Sequence, residues 1–235
     1  MSVTERLFVP LLRAAPATPL ITYYDDATGT RVELSRATAA NWAAKTANWL
    51  RDEWDIEPGA EIGVALPAHW QTVGVLLGAW WVGAHITDRF DGSELAFVGP
   101  DFDGDTGNTQ VAVVALDALG MGLRDKPEGK LDYLSDSRIH GDSFDPWQTI
   151  PGTSPALADS TVDELVAAAS DRAKSLGIAT GARVLSTLDW TVPDGVIDGL
   201  LTVLSAGGSL VQCANTDPAR LVDRQATERT TITIG

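Results

Sequence analysis

The sequence predicts an α/β protein with two pseudo-symmetric halves, each containing a parallel sheet with helices on both faces. One observation is an approximate repeat: residues 58–86 and 180–210 each run from a Gly-Ala pair through a short apolar run, a proline-containing turn and a long apolar run to small residues. The copies lie about 120 residues apart, which indicates a duplicated strand-helix unit rather than a solenoid. Helix and strand patterns also alternate along the chain, and such crossovers produce parallel sheets.

The N-terminal third predicts a short helix, a hairpin and a long helix. Thr4 is the predicted N-cap of the short helix. Residues 20–24 and 30–34 are rich in β-formers and flank a turn in which Gly29 needs a positive φ. Ser35 is predicted to cap the long helix, whose apolar positions recur at three- and four-residue steps. These positions are Ala39, Trp42, Ala43, Thr46, Trp49 and Leu50.

The first repeat copy predicts a buried strand at 61–66 and an almost wholly apolar helix ending at Val82. Further strands are predicted at 94–98 and 111–116. Prolines interrupt the weakly periodic residues that follow, up to Pro155. The resulting division is a first half at 1–118, an irregular connection at 119–158 and a second half at 159–235.

The second half begins with a capping box, in which Thr161 caps a helix and Glu164 caps Thr161 in return. Gly177 is predicted to end that helix. The second repeat copy follows, then a helix starting at Asp217 and Pro218, and a final strand at 230–234.

Composition excludes several classes of partner and site. The formal net charge of −15 disfavours nucleic acid and anionic membranes. The only cysteine, Cys213, lies in an apolar strand pattern and is predicted to be buried. The longest apolar run, residues 73–84, is too short for a bilayer, which needs about 20 residues. With no signal-peptide pattern at the N-terminus, a soluble cytoplasmic protein is predicted.

Familiar catalytic and metal-binding motifs fail on their spacing. The aspartates from Asp101 to Asp105 lack the glycine and glutamate of a calcium loop, and Gly120-Met-Gly122 lacks the third glycine of a dinucleotide fingerprint. The histidines have no metal-ligand spacing, and no G-x-S-x-G occurs. We therefore predict no catalytic residue, no metal site and no bound cofactor.

Two tryptophans are the strongest candidates for a ligand site. Trp70 and Trp190 are predicted to lie in corresponding loops after the two repeat strands. Crevices form at the carboxyl ends of strands in α/β sheets, so both residues are predicted to line one. The alternative is that both are core residues.

The residues 21–84, beginning ITYYDD and ending LLGAWWVGA, resemble the opening of the adenylate-forming enzymes, which include acyl-CoA synthetases, peptide-synthetase adenylation domains and luciferases. The residues 181–235 are similar to the stretch that follows the phosphate-binding loop in that superfamily. The resemblance implies the fold of the N-terminal region of such an enzyme. It also implies an ancestral chemistry in which ATP and a carboxylate form an acyl-adenylate.

The residues that the resemblance assigns to that chemistry are different here. The place of the phosphate loop, residues 151–160, has no lysine, and no Lys or Arg occurs between Arg138 and Arg172. Val192 takes the place of the histidine that helps to line the acyl pocket in the family. The sequence also stops at Gly235, before the segments that in the family hold adenine, ribose and magnesium and before the catalytic C-terminal lysine.

The leading hypothesis is a catalytically incomplete homologue of the adenylate-forming superfamily that acts as a binding or interaction module. The alternative is a small-molecule-binding protein or minor-activity enzyme, in which Trp70, Trp190 and Asp194 contact an acyl, CoA-like or aromatic carboxylate ligand. A further expectation is a homodimer or another protein partner, because the last predicted strand has no helix after it.

Overall fold

The computed structural model describes every residue from Met1 to Gly235, and its strands form two sheets. The strands are β1 Pro19–Asp25, β2 Thr30–Ser35, β3 Glu61–Ala65, β4 His85–Thr87, β5 Leu95–Val98, β6 Val111–Val113, β7 Leu131–Asp132, β8 Pro155–Leu157, β9 Ser160–Thr161, β10 Arg183–Ser186, β11 Ser209–Ala214 and β12 Ile232–Ile234. Sheet A has the order β12-β10-β11-β1-β2, and sheet B has the order β7-β6-β5-β3-β4-β8-β9.

The helices connect these strands. They are α1 Val3–Leu7, α2 Val9–Ala14, α3 Arg36–Trp54, α4 Trp70–Val82, α5 Tyr133–Ser137, α6 Val162–Ser175, α7 Asp194–Val196, a π-helical turn Ile197–Leu201, α8 Thr202–Ser205 and α9 Pro218–Glu228. One hydrophobic core of 52 buried residues includes side chains from both sheets and from α3, α4 and α6, so the sheets share one interior.

Both predicted strand-helix units form, and each continues into a further strand. In sheet B, β3 and β4 flank α4 and pair in parallel. In sheet A, β10 and β11 flank the helical residues 194–205 and also pair in parallel. All other pairs are parallel except the hairpins β1-β2 and β8-β9. This arrangement confirms the predicted α/β class with two parallel-dominated sheets.

The two sheets do not follow the predicted boundaries at residues 118 and 158. The strands of sheet B all lie between residues 61 and 161. Sheet A combines the hairpin β1-β2 with β10, β11 and β12, and β1 pairs directly with β11. Residues 119–158 are not wholly irregular, because they contribute β7, α5 and β8. Sheet B is therefore inserted in the sequence between the two parts of sheet A.

The predicted cap at Thr4 is wrong by two residues. Ser2 is the N-cap of α1, because its side chain accepts a hydrogen bond from the Glu5 amide and the Glu5 carboxylate accepts one from the Ser2 amide. This reciprocal pair is a capping box. Thr4 is instead buried, and its hydroxyl donates to the Leu77 carbonyl at 2.6 Å, which attaches α1 to α4.

Helices α3 and α4 approach each other closely at two glycines of α4. A methyl group at Gly78 would lie 2.4 Å from Thr46 Cβ and 2.7 Å from the Ala43 carbonyl oxygen. One at Gly74 would lie 3.1 Å from Trp42 Cβ. The facing side of α3 is rich in buried alanines, so small residues on both helices permit this contact. The glycines lie in the interior of α4, where packing outweighs their poor helix propensity.

A buried network of charges holds α9 against sheet A. Arg224 Nη2 donates to Asp26 Oδ1 at 2.6 Å, and the two side chains are only 7% and 5% exposed. On the same helix, the Glu228 carboxylate accepts hydrogen bonds from Tyr24, Arg31 and Arg183. The outer face of sheet A is thereby covered, and Cys213 lies beneath it, where burial raises the pKa of its thiol.

This network predicts acid lability. The Arg224 hydrogen bond lowers the pKa of Asp26 below its ordinary value of 3.8. Burial opposes ionisation of Glu228, but its hydrogen bonds lower its pKa below the ordinary 4.5. A carboxyl with a lowered folded-state pKa contributes stability that is present above its unfolded pKa and is lost as pH falls toward the folded value. We therefore expect the melting temperature, measured by circular dichroism, to fall as pH drops below these ordinary values.

The Asp26→Ala variant tests whether Asp26 contributes to this fall in melting temperature at acidic pH. Its melting temperature should decline less over the same acidic range, because one of the linked carboxyls is missing. An unchanged decline would mean that Asp26 does not contribute to acid lability.

No helix in the structure combines the length and apolar character needed to cross a membrane.

Candidate functional site

The stretch at the predicted phosphate-loop position folds back onto the start of α6. The Val162 amide donates to the Ser154 carbonyl at 2.9 Å, and the Asp163 amide donates to the Gly152 carbonyl at 2.9 Å. The Glu164 amide donates to the Thr161 hydroxyl. Free amides at a helix N-terminus are what would attract an anion. The first three amides of α6 are instead occupied by groups of the same segment.

Negative side chains also fill this helix terminus. A methyl group at Gly152 would lie 2.2 Å from Asp163 Oδ2, so the carboxylate packs against the loop itself. Hydrogen bonds from the Thr161 amide and hydroxyl lower the pKa of Glu164. One nearby cation, Arg6 of α1, pairs with Asp163 and was not predicted from the sequence. That arginine is distant in sequence and already compensates a carboxylate.

A crevice lies elsewhere, where the carboxyl ends of strands from both sheets meet. Its larger cavity has a volume of about 500 Å³ and its smaller one about 470 Å³. The larger is lined by Tyr23 of β1, by the end of β11 and by the loops after β3, β10 and β11; the smaller lies between the end of β3 and the loop after β10. Pro67 and Asp189 line both cavities, so we treat the two as one crevice. Volumes of about 300–1,000 Å³ are typical of small-molecule sites.

Asp189 joins the two sides of the crevice. Its Oδ1 accepts a hydrogen bond from the Ala68 amide at 3.1 Å, in the loop after β3. The same oxygen accepts one from the Trp190 amide at 2.8 Å, in the loop after β10. The carboxylate therefore connects a loop of sheet B to a loop of sheet A. Sequence alone did not identify it, because a single aspartate in a loop carries no pattern.

Gln212 is the second residue that sequence reasoning missed. It lines the larger cavity from β11 and is 1% exposed. Its Nε2 donates to the Leu188 carbonyl at 2.9 Å, whereas its Oε1 is buried without a hydrogen-bond donor. Most buried polar atoms have a partner, so this oxygen is an exception. The available signal was one polar side chain inside the apolar run from Leu210 to Ala214.

The structure places Trp70 away from this crevice. Trp70 is not in a loop but is the first residue of α4, whose N-cap is His69. It is 3% exposed and packs against Trp42, with ring centroids 5.9 Å apart. Trp70 is absent from the lining of both cavities. Burial lowers the pKa of the adjoining His69 to about 4, so its imidazole is neutral at pH 7.

Trp190 and Asp194 differ in their relation to the crevice. Trp190 lies in the predicted loop and lines the smaller cavity, although it is 1% exposed. Its indole packs directly on the π-helical turn at Gly199. A methyl group at Gly199 would lie only 2.5 Å from Trp190 Nε1. Asp194 is exposed at the start of α7 and lines neither cavity. The three predicted contact residues therefore do not converge on one pocket. Val192, at the position of the family histidine, also lines the smaller cavity.

No group of three or more histidine, cysteine, aspartate or glutamate side chains is arranged to hold a metal ion. A further, partly open cavity of about 130 Å³ lies away from the strand ends, beside Arg51 and the exposed Trp147. Arg51 stacks on Trp147, with 4.4 Å between its guanidinium carbon and the ring centroid.

Comparison with known proteins identifies one close relative in sequence and many in fold. The chain is 44% identical over 230 residues to a TIGR03089 family protein of Mycobacterium tuberculosis (strain H37Rv), covering 94% of this chain and 93% of the relative. No protein-family model matches the sequence.

The similar solved structures include acyl-CoA and aryl-CoA ligases. A Brucella canis acyl-CoA synthetase matches with a TM-score of 0.79 at 16% identity, over 99% of this chain and 47% of that one. A benzoate CoA ligase from Burkholderia xenovorans LB400 matches with a TM-score of 0.72 at 17% identity, over 100% of this chain and 50% of that one. The chain thus spans about half the length of these structures and has the fold of their N-terminal part.

Proposed function

Because the chain belongs to the TIGR03089 family and has the fold of the N-terminal part of acyl-CoA ligases, we propose that it binds a small molecule and does not form adenylates. The ligand site is the crevice at Asp189 and Gln212. The observation that supports the absence of adenylate formation is the occupied N-terminus of α6, where the Val162, Asp163 and Glu164 amides already have acceptors. In the adenylate-forming enzymes that this sequence resembles, the loop just before the corresponding helix holds the triphosphate.

Charge at this position supports the same conclusion. Adenylyl and phosphoryl transfer depend on cations and free donors that stabilise the negative transition state. Asp163 and Glu164 instead occupy the first turn of α6, and the nearby Arg6 is paired with Asp163. A triphosphate at this place would have to displace the bonds to Gly152 and Ser154 and would face two carboxylates.

We expect no ATP–pyrophosphate exchange from this chain in the presence of magnesium and a panel of carboxylates. The measurement is incorporation of labelled pyrophosphate into ATP, with a full-length acyl-CoA synthetase as the positive control. Isotope exchange above the protein-free rate, abolished by removing the carboxylate, would contradict the proposal.

The crevice is tested separately by amide chemical shifts. A fragment library added to uniformly ¹⁵N-labelled protein should perturb amides of residues 187–189 and 212–216 before any other region. The loop 151–160 provides the internal comparison, since it lines neither cavity. Perturbations concentrated around that loop, or around Trp147, would place the ligand site outside the crevice.

A second candidate function is association with another copy of the chain through sheet A. The observation that favours it is the position of β12, which is the outermost strand of that sheet beside β10. An unpaired strand edge offers amides and carbonyls to a partner strand. Light scattering after size-exclusion chromatography should then give twice the monomer mass, and a Thr233→Pro variant should remain monomeric. A monomeric wild type would exclude this candidate.

A further inference from the structure

Neither cavity of the crevice has a lysine or arginine in its lining, whereas carboxylates are present. Asp189 belongs to both cavities and Asp88 to the smaller one. The neighbouring arginines are already paired: Arg224 binds Asp26 at 2.6 Å, and Arg89 lies 3.5 Å from Glu61. A carboxylate or phosphate in this crevice would therefore meet negative charge with no compensating cation.

Several hydrogen-bond donors in the crevice are also already used, although Trp190 Nε1 is buried without an acceptor. The Ala68 and Trp190 amides both donate to Asp189 Oδ1, at 3.1 Å and 2.8 Å. Asn215, at the end of β11, donates its Nδ2 to Asp25 Oδ1 at 2.9 Å. These three donors are thus directed to protein acceptors, and the lining offers an anionic ligand no cation.

Acceptors remain in the same crevice. Gln212 Oε1 is buried in a residue that lines the larger cavity, and no protein group donates to it. The Gln212 amide cannot turn to satisfy this oxygen without losing the bond from its Nε2 to the Leu188 carbonyl. The Asp189 carboxylate lines the same crevice, and its Oδ1 accepts from two amides whereas no protein group donates to its Oδ2. A ligand with N–H donors would fill this unmet demand.

We infer that the crevice selects an organic cation, specifically a small molecule with a primary ammonium group, and not the acyl or CoA-like anion that the family resemblance implies. This inference rests on the proposed function of the crevice as a ligand site. An ammonium has three donors and no acceptor, which matches the Gln212 oxygen and the Asp189 carboxylate. The apolar part of the ligand would lie against Leu188 and Pro67, which line the larger cavity. The net charge of −15 also attracts cations to the surface.

Three probes of similar shape and different charge test the inference: benzylamine, benzyl alcohol and benzoate. Each is titrated into ¹⁵N-labelled protein at constant ionic strength. Benzylamine should perturb the amides of residues 187–189 and 212–216 with saturating shifts, benzyl alcohol should bind more weakly, and benzoate should leave them unchanged. Asp189→Asn and Gln212→Leu should each weaken the affinity for benzylamine by at least about tenfold. This is the loss expected for one charge-assisted or buried hydrogen bond.

Asp125→Asn is the matched control, since it makes the same change in net charge at an exposed position that lines neither cavity. Benzylamine affinity should be unchanged in it. If Asp125→Asn and Asp189→Asn weakened benzylamine binding equally, the net charge of the protein would explain the effect, and the inference would be overturned. Absence of benzylamine shifts in the crevice would also overturn it.

The remaining outcomes separate the inference from the proposed function. Benzoate binding in the crevice without benzylamine binding would overturn the cation preference and leave the crevice as a ligand site. Benzylamine binding in the crevice together with ATP–pyrophosphate exchange would support the cation preference and refute the proposal that the chain does not form adenylates.

Discussion

Replacing Asp26 with alanine should lower the free energy of unfolding by about 3–5 kcal/mol, as expected when one partner of a buried ion pair is removed. The Arg224 guanidinium, only 7% exposed, would lose its 2.6 Å bond to Asp26 and remain uncompensated beneath α9. Asp26 also accepts a hydrogen bond from the Asp217 amide at 2.8 Å, so the start of α9 would lose an anchor as well. Urea denaturation followed by circular dichroism measures the difference.

Two further variants make this result specific. Asp171→Asn removes a carboxylate from an exposed pair with Lys174, and surface pairs of this kind contribute at most about 1 kcal/mol. The double variant Asp26→Leu with Arg224→Leu removes both buried charges and should recover much of the lost stability. If the double variant were less stable than Asp26→Ala, the cost would come from packing and not from the unpaired guanidinium.

Gly78→Ala should destabilise the protein by about 1–3 kcal/mol, the usual cost of overpacking a core, although alanine is the better helix former. The new methyl group would lie 2.4 Å from Thr46 Cβ and 2.7 Å from the Ala43 carbonyl oxygen. The second contact is to backbone, so relief requires α3 and α4 to separate. The gain in helix propensity, about 0.5–1 kcal/mol, is smaller than this cost. Thermal and urea unfolding provide the measurement.

A graded series of glycines tests the explanation. Gly74→Ala creates a contact of 3.1 Å to Trp42 Cβ, so its cost should be smaller than that of Gly78→Ala. Gly141→Ala creates contacts no shorter than 3.6 Å and should change stability little. Equal effects of Gly78→Ala and Gly141→Ala would show that the helices adjust without cost, and the close approach would then not limit stability.

Local sequence signals predicted most secondary structure, because the responsible interactions lie within a few residues. Ser35 caps α3, Thr161 and Glu164 form the capping box of α6, and Asp217 with Pro218 begins α9. The repeat and the alternation of helices and strands predicted parallel sheets, and each copy of the repeat lies in one parallel strand-helix-strand unit. The prediction at Thr4 was wrong because Ser2 and Glu5 form an equally local cap two residues earlier.

Sheet composition and the candidate site were less accessible to sequence reasoning, because both depend on distant residues. The pairing of β1 with β11 joins Ile21 to Leu210, and no local pattern records that contact. The same holds for Asp189 and Ala68, which create the crevice. Trp70 was predicted to be in a loop because its helix start depends on His69, whose ring nitrogen accepts the Gln71 amide at 3.1 Å.

The insertion of sheet B between the two parts of sheet A has a consequence for the order of folding during synthesis. All strands of sheet B have emerged once residue 161 is made, and their contacts are comparatively local. The hairpin β1-β2 is made first, yet the edge of β1 stays unpaired until β11 has been synthesised. Because domains fold as their partners emerge, sheet B should form before sheet A. The strands of this hairpin are therefore among the last to reach their final neighbours, and pairings this distant in sequence slow refolding of the whole chain.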